Sequence, residues 1–123
     1  GETYNIGGDS ERTNIQIVRD LCNAIDMAFE RASALRQRFP ACPSASGGCT
    51  EGLITFVKDR PGHDRRYAID ARKSMRELGF RPAHAFGAGL AKTLEWYVDN
   101  EHWWRAVMDG SYRQWILRQY GAV

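Results

Sequence analysis

A sharp chain reversal is predicted at Pro61-Gly62, between two short runs of strand-like composition. Proline presets the first central position of a turn and glycine accepts the positive φ that can follow, so this pair bends the backbone at a defined place. The flanking runs, residues 53–57 and 66–69, contain the β-branched and aromatic residues that favour strands. We therefore expect two strands with a tight connection between them.

The same connection is rich in arginine. A planar guanidinium matches the oxygens of a phosphate, so a bend that brings several arginines together is a candidate anion site, with a diphosphate as the natural ligand. The alternative is a charged surface hairpin in which nearby aspartates neutralise the arginines, and composition alone favours that alternative. The residues concerned are Asp59, Arg60, Pro61, Gly62, His63, Asp64, Arg65, Arg66 and Tyr67.

Overall charge excludes a broad basic surface. The chain has 17 Lys and Arg against 15 Asp and Glu, a net charge of only +2, which argues against a general nucleic-acid or membrane-surface binder. Between Lys58 and Lys73, however, basic side chains outnumber aspartates. The positive field is therefore concentrated at the turn.

Length and composition predict one globular domain over residues 1–123, because 123 residues with 43% hydrophobic content are enough for a single core. No apolar run approaches the roughly 20 residues that cross a bilayer, so we expect no membrane contact. The three cysteines, Cys22, Cys42 and Cys49, lack metal-ligand spacing. We expect free thiols in a cytoplasmic protein, although Cys42 and Cys49 flank a loop and would be able to bridge under oxidation.

The first helix is marked by a capping box, Thr13 with the glutamine three residues later, and should run from Asn14 to about Arg38. Asn14 then lies at the positive end of the helix dipole, which suits an anionic ligand, although an asparagine there can simply begin a helix. Residues 40–50 carry almost exclusively small and turn-forming side chains and predict a mobile surface loop without function.

Further helices are predicted from Asp70 as an N-cap to Gly79 as a C-cap, from about Phe86 onward, and over residues 112–120. Residues 2–6 alternate like a strand. The expected fold class is therefore mixed α and β, with about three short strands and four to five helices.

Other potential sites are weaker. Gly87 and Gly89 superficially match a dinucleotide loop but follow no strand, so they are interpreted as helix packing. The three histidines lack metal-ligand spacing, and no metal site is expected. The tryptophan and tyrosine pairs near the C-terminal end fit a base-stacking platform, but their helical register favours packing.

Four segments occur in the order typical of dTDP-glucose 4,6-dehydratases, extended short-chain dehydrogenase/reductases that act on a nucleotide sugar. They are residues 2–8 followed by Asn14, residues 59–70, residues 77–80 and residues 93–97. The chain resembles the C-terminal part of this family over nearly its whole length. The central segment is highly specific, whereas residues 4–8 also resemble nucleotide-sugar epimerases, which remain an alternative.

The resemblance implies that the parent enzyme uses NAD to oxidise the sugar at C4, eliminates water across C5 and C6, and returns the hydride to C6. The product is a 4-keto-6-deoxy sugar, as in rhamnose-type biosynthesis. It also implies that this chain is the small substrate-binding lobe without the Rossmann domain. The implied substrate-binding residues are Asn14, Asp59, Arg60, Pro61, Gly62 and His63, with Arg60 on the diphosphate and His63 on phosphate or ribose oxygens.

Catalytic parts of the family are missing from this sequence. It has no Tyr-x-x-x-Lys pair, no adjacent Asp-Glu pair and no Rossmann glycine loop, so no catalytic or cofactor-binding residue is expected and the chain alone should be inactive. The expected partners are a dTDP-sugar and the N-terminal Rossmann part. Without that part, exposed apolar surface should cause self-association. The remaining alternative is an autonomous interaction or nucleic-acid module.

Overall fold

The structure, a computed structural model, describes residues 1–59, 61–64 and 67–110. These residues form five α-helices and two short 3-10 helices, the latter at Pro43–Ser46 and Thr50–Leu53. The α-helices are α1 (Asn14–Arg31), α2 (Ala34–Arg38), α3 (Arg72–Glu77), α4 (Phe86–Asp99) and α5 (Glu101–Met108).

The predicted mixed α and β fold class is wrong, because the described residues contain no β-strand. Residues 2–6, 53–57 and 67–69 lack the second strand that would complete a hydrogen-bonded ladder. Strand-like composition expresses a preference for cross-strand neighbours and does not supply them. At Ile54, for example, the backbone is extended, with φ −69° and ψ 121°, yet it belongs to no sheet.

Helix α1 begins as predicted. Thr13 Oγ1 accepts a hydrogen bond from the Gln16 N–H at 3.3 Å, and Gln16 Oε1 accepts one from the Thr13 N–H at 2.8 Å. This reciprocal pair satisfies two amides that a helix start leaves without partners. The helix ends at Arg31, earlier than expected, and its buried face presents Cys22 and Phe29.

Residues 40–53 differ from the predicted featureless loop. Both 3-10 helices in this segment pack against α1, and the side chains of Ser44 and Thr50 are buried. Gly47 has a φ of 81°, and the Gly48 N–H donates to the Pro43 carbonyl at 2.9 Å. This left-handed glycine closure ends the first 3-10 helix and turns the chain back toward α1.

The N-terminal segment is fastened to α3. Ser74 is fully buried, and its Oγ lies 2.7 Å from the Asn5 carbonyl oxygen and 2.8 Å from that of Ala71. Lys73 Nζ donates to the Glu2 carboxylate at 2.8 Å. These side-chain bonds take the place of the strand pairing expected for residues 2–6.

The structure contains two compact units, the first being Gly1–Leu90 and the second beginning at Ala91. In the second unit Trp96 meets Tyr97 and Trp103 edge to face, with ring centroids 5.3 Å apart in each pair. Trp104 Nε1 donates to the Tyr97 carbonyl at 2.8 Å. The predicted helix over residues 112–120 lies outside the described residues, and the single-domain assignment stays a prediction. Within the described part of the chain, no helix has the length and apolar character to cross a membrane.

Candidate functional site

The candidate site is centred on the turn at Pro61-Gly62, and the described residues on either side of it have no regular secondary structure. Gly62 has a φ of 70°, a left-handed value that side chains with a Cβ rarely adopt. Proline followed by glycine at positive φ is the pair that a type II turn requires. The sequence prediction of a sharp bend here is confirmed.

Asp59 and His63 meet across this turn. His63 Nδ1 lies 2.7 Å from Asp59 Oδ1, and the His63 side chain is 37% exposed against 74% for Asp59. Because the carboxylate accepts the hydrogen bond, Nδ1 carries the proton, and Nε2 is the ring nitrogen left to meet a ligand. Such a carboxylate contact orients the imidazole ring, so that Nε2 is presented to a phosphate or hydroxyl oxygen of a ligand.

The basic residues near the turn fall into two groups. Arg60, Arg65 and Arg66, which would supply most of the positive field, lie outside the described residues. Of the others, Arg72 is held by the Asp70 carboxylate, with its closest contact at 2.6 Å. The Arg72 guanidinium, by hydrogen bonding, holds the pKa of Asp70 well below its ordinary value. For this pair the alternative interpretation as a charged surface is the better one.

Asn14 occupies the first position of α1 and is exposed. In the part of the chain that the structure describes, no hydrogen bond joins Asn14 to the turn, whereas Asp59 and His63 are in direct contact. The structure therefore brings together two of the predicted substrate-binding residues and places Pro61 and Gly62 in the bend between them. Whether Asn14 shares a ligand with them stays a prediction.

Apolar side chains are exposed on both sides of the turn, a feature that the sequence interpretation as strands did not anticipate. Phe56 is 82% exposed and Val57 83%, and Tyr67 on the other side is 67% exposed. Side chains of this size are usually covered in a complete protein. The turn is therefore flanked in sequence by exposed apolar side chains.

A shallow cavity of about 390 Å³ lies at the far end of the same segment. Its walls include the carboxylates of Asp9, Glu11 and Asp70, with Arg72 as the basic member. Since Arg72 is already bound by Asp70, this cavity presents excess negative charge. It is unsuited to a diphosphate, and the candidate site remains the turn.

The stretch around Gly87 and Gly89 does not form the glycine-rich loop of a dinucleotide site. Gly87 and Gly89 lie inside α4, where the Gly89 N–H donates to the Ala85 carbonyl at 2.9 Å. A phosphate-binding loop needs amides that point outward before a helix begins, and the Gly89 amide serves the helix instead. The interpretation of this stretch as part of a helix is confirmed, whereas a Cβ at Gly87 would meet open space, so no close packing requires that glycine.

Sequence reasoning missed a polar cluster centred on Asp26 of α1. Ser44 Oγ donates to Asp26 Oδ1, the Thr50 N–H donates to the same atom at 3.2 Å, and the Cys49 thiol donates to this carboxylate as well. These hydrogen bonds, the one from Ser44 foremost, hold the pKa of Asp26 below its ordinary value of 3.8. The available signal was that Asp26 lies four residues after Cys22, on the inward face of the helix.

Comparison with known proteins identifies relatives of this chain, although no family model matches it. A dTDP-glucose 4,6-dehydratase of Xanthomonas campestris pv. campestris is 48% identical over 123 residues, which is 100% of this chain and 30% of the relative. The chain is homologous to the dTDP-glucose 4,6-dehydratases. The resemblance inferred from the sequence motifs is thereby confirmed.

Other dTDP-glucose 4,6-dehydratases match this chain with similar identity and coverage. That of Neisseria meningitidis serogroup B is 47% identical over 113 residues, covering 92% of this chain and 29% of the relative. That of Salmonella typhimurium is 43% identical over 120 residues, covering 98% of this chain and 29% of the relative. The chain thus spans a little under a third of the length of the dehydratases that it matches.

Proposed function

We propose that this chain is the C-terminal, substrate-binding portion of a dTDP-glucose 4,6-dehydratase. Support comes from dehydratase relatives that match nearly all of the chain but only about 30% of their own length. The structural observation that carries the proposal is the Pro61-Gly62 turn, on which Asp59 orients His63 at 2.7 Å. The ligand of this turn is the diphosphate of a dTDP-sugar.

Each site residue has a definite role in this proposal. Arg60 contacts the diphosphate as a planar donor, and the turn at Pro61-Gly62 fixes the position of the neighbouring side chains. His63, held through Nδ1 by Asp59, donates from Nε2 to a phosphate or ribose oxygen. Asn14 contributes from the start of α1, where the helix dipole favours an anion.

In this proposal the chain binds the substrate and does not carry out the reaction. Oxidation at C4 with loss of water across C5 and C6 needs an acid/base pair beside the sugar, and the sequence has no Tyr-x-x-x-Lys or Asp-Glu pair to supply it. NAD, when bound by the other part of the parent enzyme, supplies the hydride acceptor. The described residues that resemble a dinucleotide loop are used in α4, so this chain does not hold the cofactor.

The exposed apolar side chains near the turn, Phe56, Val57 and Tyr67, belong to the surface that the remainder of the dehydratase covers. Produced alone, the chain should self-associate through this surface. Sedimentation velocity over the micromolar range checks this, and a monomer at every concentration would contradict it. A cytoplasmic location likewise stays a prediction.

Isothermal titration calorimetry with dTDP tests the site directly. We expect weak binding to the chain, with thymidine binding more weakly still because it lacks the diphosphate. Arg60→Ala should lower the affinity for dTDP about 10- to 100-fold, since a charge-assisted hydrogen bond is worth about 1.5–3 kcal/mol. Arg36→Ala, which removes an exposed arginine from α2, is the matched control and should leave binding unchanged.

A second variant tests the role of the histidine. His63→Ala should weaken dTDP binding, because the variant lacks the imidazole that Asp59 orients toward the ligand. His102→Ala, an exposed histidine of α5, is the control. If dTDP binds Arg60→Ala and His63→Ala as tightly as the unaltered chain, the proposed site is wrong.

Two alternatives are separated by the same assay. Preference for UDP or GDP over dTDP would point to the corresponding part of another nucleotide-sugar epimerase or dehydratase. Binding of an oligonucleotide that weakens steeply with salt, without binding of any nucleoside diphosphate, would point to a nucleic-acid module. The specificity of residues 59–70 and the dehydratase relatives favour dTDP.

A further inference from the structure

The segment between α2 and the turn connects two thiols to the Asp26 carboxylate, that of Cys42 through Ser44 and that of Cys49 directly. Cys42 Sγ donates to Ser44 Oγ at 3.7 Å, and Ser44 in turn donates to Asp26. The Cys49 thiol donates to the same Asp26 carboxylate. Cys42 and Cys49 are therefore linked through a chain of only two intervening side chains.

Backbone geometry places these cysteines on either side of a closed loop. The Gly48 N–H donates to the Pro43 carbonyl at 2.9 Å, and a Cβ added to Gly48 would lie 3.1 Å from that carbonyl oxygen. Cys42 directly precedes Pro43 and Cys49 directly follows Gly48. The hydrogen bond between Gly48 and Pro43 thus joins the two chain segments at the residues next to Cys49 and Cys42. Such proximity suits a disulfide, which needs Cα atoms within about 7 Å.

We infer that Cys42 and Cys49 form a reversible dithiol–disulfide pair, a redox modification site on the segment that docks onto α1. The third thiol, Cys22, is excluded from the pair because its side chain is buried in the α1 face, at 8% exposure. Cys49 is exposed and meets an oxidant first, and Cys42, which is partly buried, is the resolving thiol.

The chemistry needs an oxidant, which is a low-molecular-weight disulfide of the glutathione type. The Cys49 thiolate attacks one sulfur of that disulfide, the external S–S bond breaks, and one small thiol leaves with a proton. The Cys42 thiolate then attacks the mixed disulfide at Cys49 and releases the second small thiol. Two protein thiols are oxidised to one disulfide while one external disulfide is reduced to two thiols.

Oxidation changes the cluster around Asp26 in a limited way. Both thiol hydrogens are lost, so Cys49 no longer donates to Asp26 and Cys42 no longer donates to Ser44. Ser44 and Thr50 keep their own hydrogen bonds to the carboxylate. Because the closed loop is short, the disulfide adds less stability than one that closes a long loop, and the exposure of Cys49 leaves it open to reduction.

The test is oxidation of the reduced chain by excess glutathione disulfide, followed by alkylation of the remaining thiols and tryptic digestion. The sequence suits this design, because residues 39–58 contain no internal Lys or Arg and carry both cysteines, whereas Cys22 lies in residues 20–31. We expect free thiols to fall from three to one. The peptide 39–58 should lose two hydrogens, and the peptide 20–31 should remain alkylated.

Several outcomes would overturn the inference. They are retention of all three thiols, a cross-link between the peptides 20–31 and 39–58, a disulfide between two chains, or glutathione remaining on Cys49 as the end product. In Cys42→Ser, oxidation should stop at the mixed disulfide between Cys49 and glutathione, because the resolving thiol is absent. Cys22→Ser is the matched control and should form the internal disulfide as the unaltered chain does. Because the peptide map of the unaltered chain decides the pairing, the test does not depend on the folding of either variant.

Discussion

Thr50 faces the Asp26 carboxylate with two donors, its backbone N–H at 3.2 Å and its hydroxyl at 2.9 Å. The same hydroxyl lies 3.0 Å from the Cys22 carbonyl oxygen, so its single proton is shared between two acceptors on α1. Thr50 is only 3% exposed. This contact fixes the second 3-10 helix to α1 immediately before the segment that leads to the turn.

Thr50→Val should destabilise the chain by about 1–3 kcal/mol, because the change keeps the side-chain shape but removes the hydroxyl donor from two buried acceptors. Urea unfolding followed by circular dichroism measures the loss. Thr55→Val, at an exposed threonine outside the Asp26 cluster, is the matched control. That control should change stability by less than about 0.5 kcal/mol.

Stability should fall in acid because of Asp26. The folded-state pKa of Asp26 lies below the ordinary 3.8, so its ionised form stabilises the fold fully above that pH, and the contribution is lost as pH falls through the folded-state pKa. Unfolding free energies measured between about pH 5 and pH 2 should therefore drop less steeply in Asp26→Asn than in the unaltered chain. Asp99→Asn, at an exposed site on α4, should retain the steep drop. Equal slopes for all three proteins would count against this role of Asp26.

Gly79→Ala should lower the melting temperature. Gly79 has a φ of 66° after the end of α3, and a Cβ in that left-handed region costs about 1–2 kcal/mol even where space is open. Gly52→Ala is the matched control, since a Cβ at Gly52 also meets open space but requires no left-handed backbone. Differential scanning calorimetry should show a clear decrease for Gly79→Ala alone, and equal shifts in both variants would contradict the strain argument.

Ser74→Ala should loosen the N-terminal segment. Its hydroxyl is fully buried and joins α3 to the Asn5 carbonyl, so the change leaves a buried acceptor without this partner at a cost of about 1–3 kcal/mol. Limited trypsin digestion should cleave after Arg12 faster in this variant. Ser10→Ala, at an exposed serine, should leave the cleavage rate unchanged.

Features set by neighbouring residues were predictable from the sequence. The capping box at Thr13, the start of α4 at Phe86 and the left-handed glycine at Gly79 all depend on side chains within a few residues of one another. The bend at Pro61-Gly62 belongs to the same class. Local chemistry decides such features, and one sequence is enough to locate them.

The strands failed as predictions because a strand depends on distant residues. Residues 2–6 carry an alternating pattern, yet the structure satisfies them by side chains from α3, among them Ser74 and Lys73. The spacing of residues within either segment does not predict the contact between residues 2–6 and α3. The docking of residues 40–53 onto Asp26 was missed for the same reason, since Thr50 and Asp26 are 24 positions apart.

The location of the candidate site was predictable from the sequence, but the contacts among its side chains were predictable only in part. The motif identified the turn, and the i, i+4 contact of Asp59 with His63 is short-range enough to be expected from it. The competition of Asp70 for Arg72 depends on side-chain conformation and reduces the positive charge available at the turn. The count of charges between Lys58 and Lys73 already included Asp70, but it could not show which basic side chain that carboxylate holds.

Thr50 and α3 together limit how far the turn can travel. Asp59 lies nine positions after Thr50, and Arg72 at the start of α3 lies nine positions after His63. An extended chain spans at most about 3.5 Å per residue, so each connection reaches no more than roughly 30 Å. For a ligand held by the turn, the other side chains of this unit would therefore be present at an effective concentration in the millimolar range, because the chain keeps them within this distance.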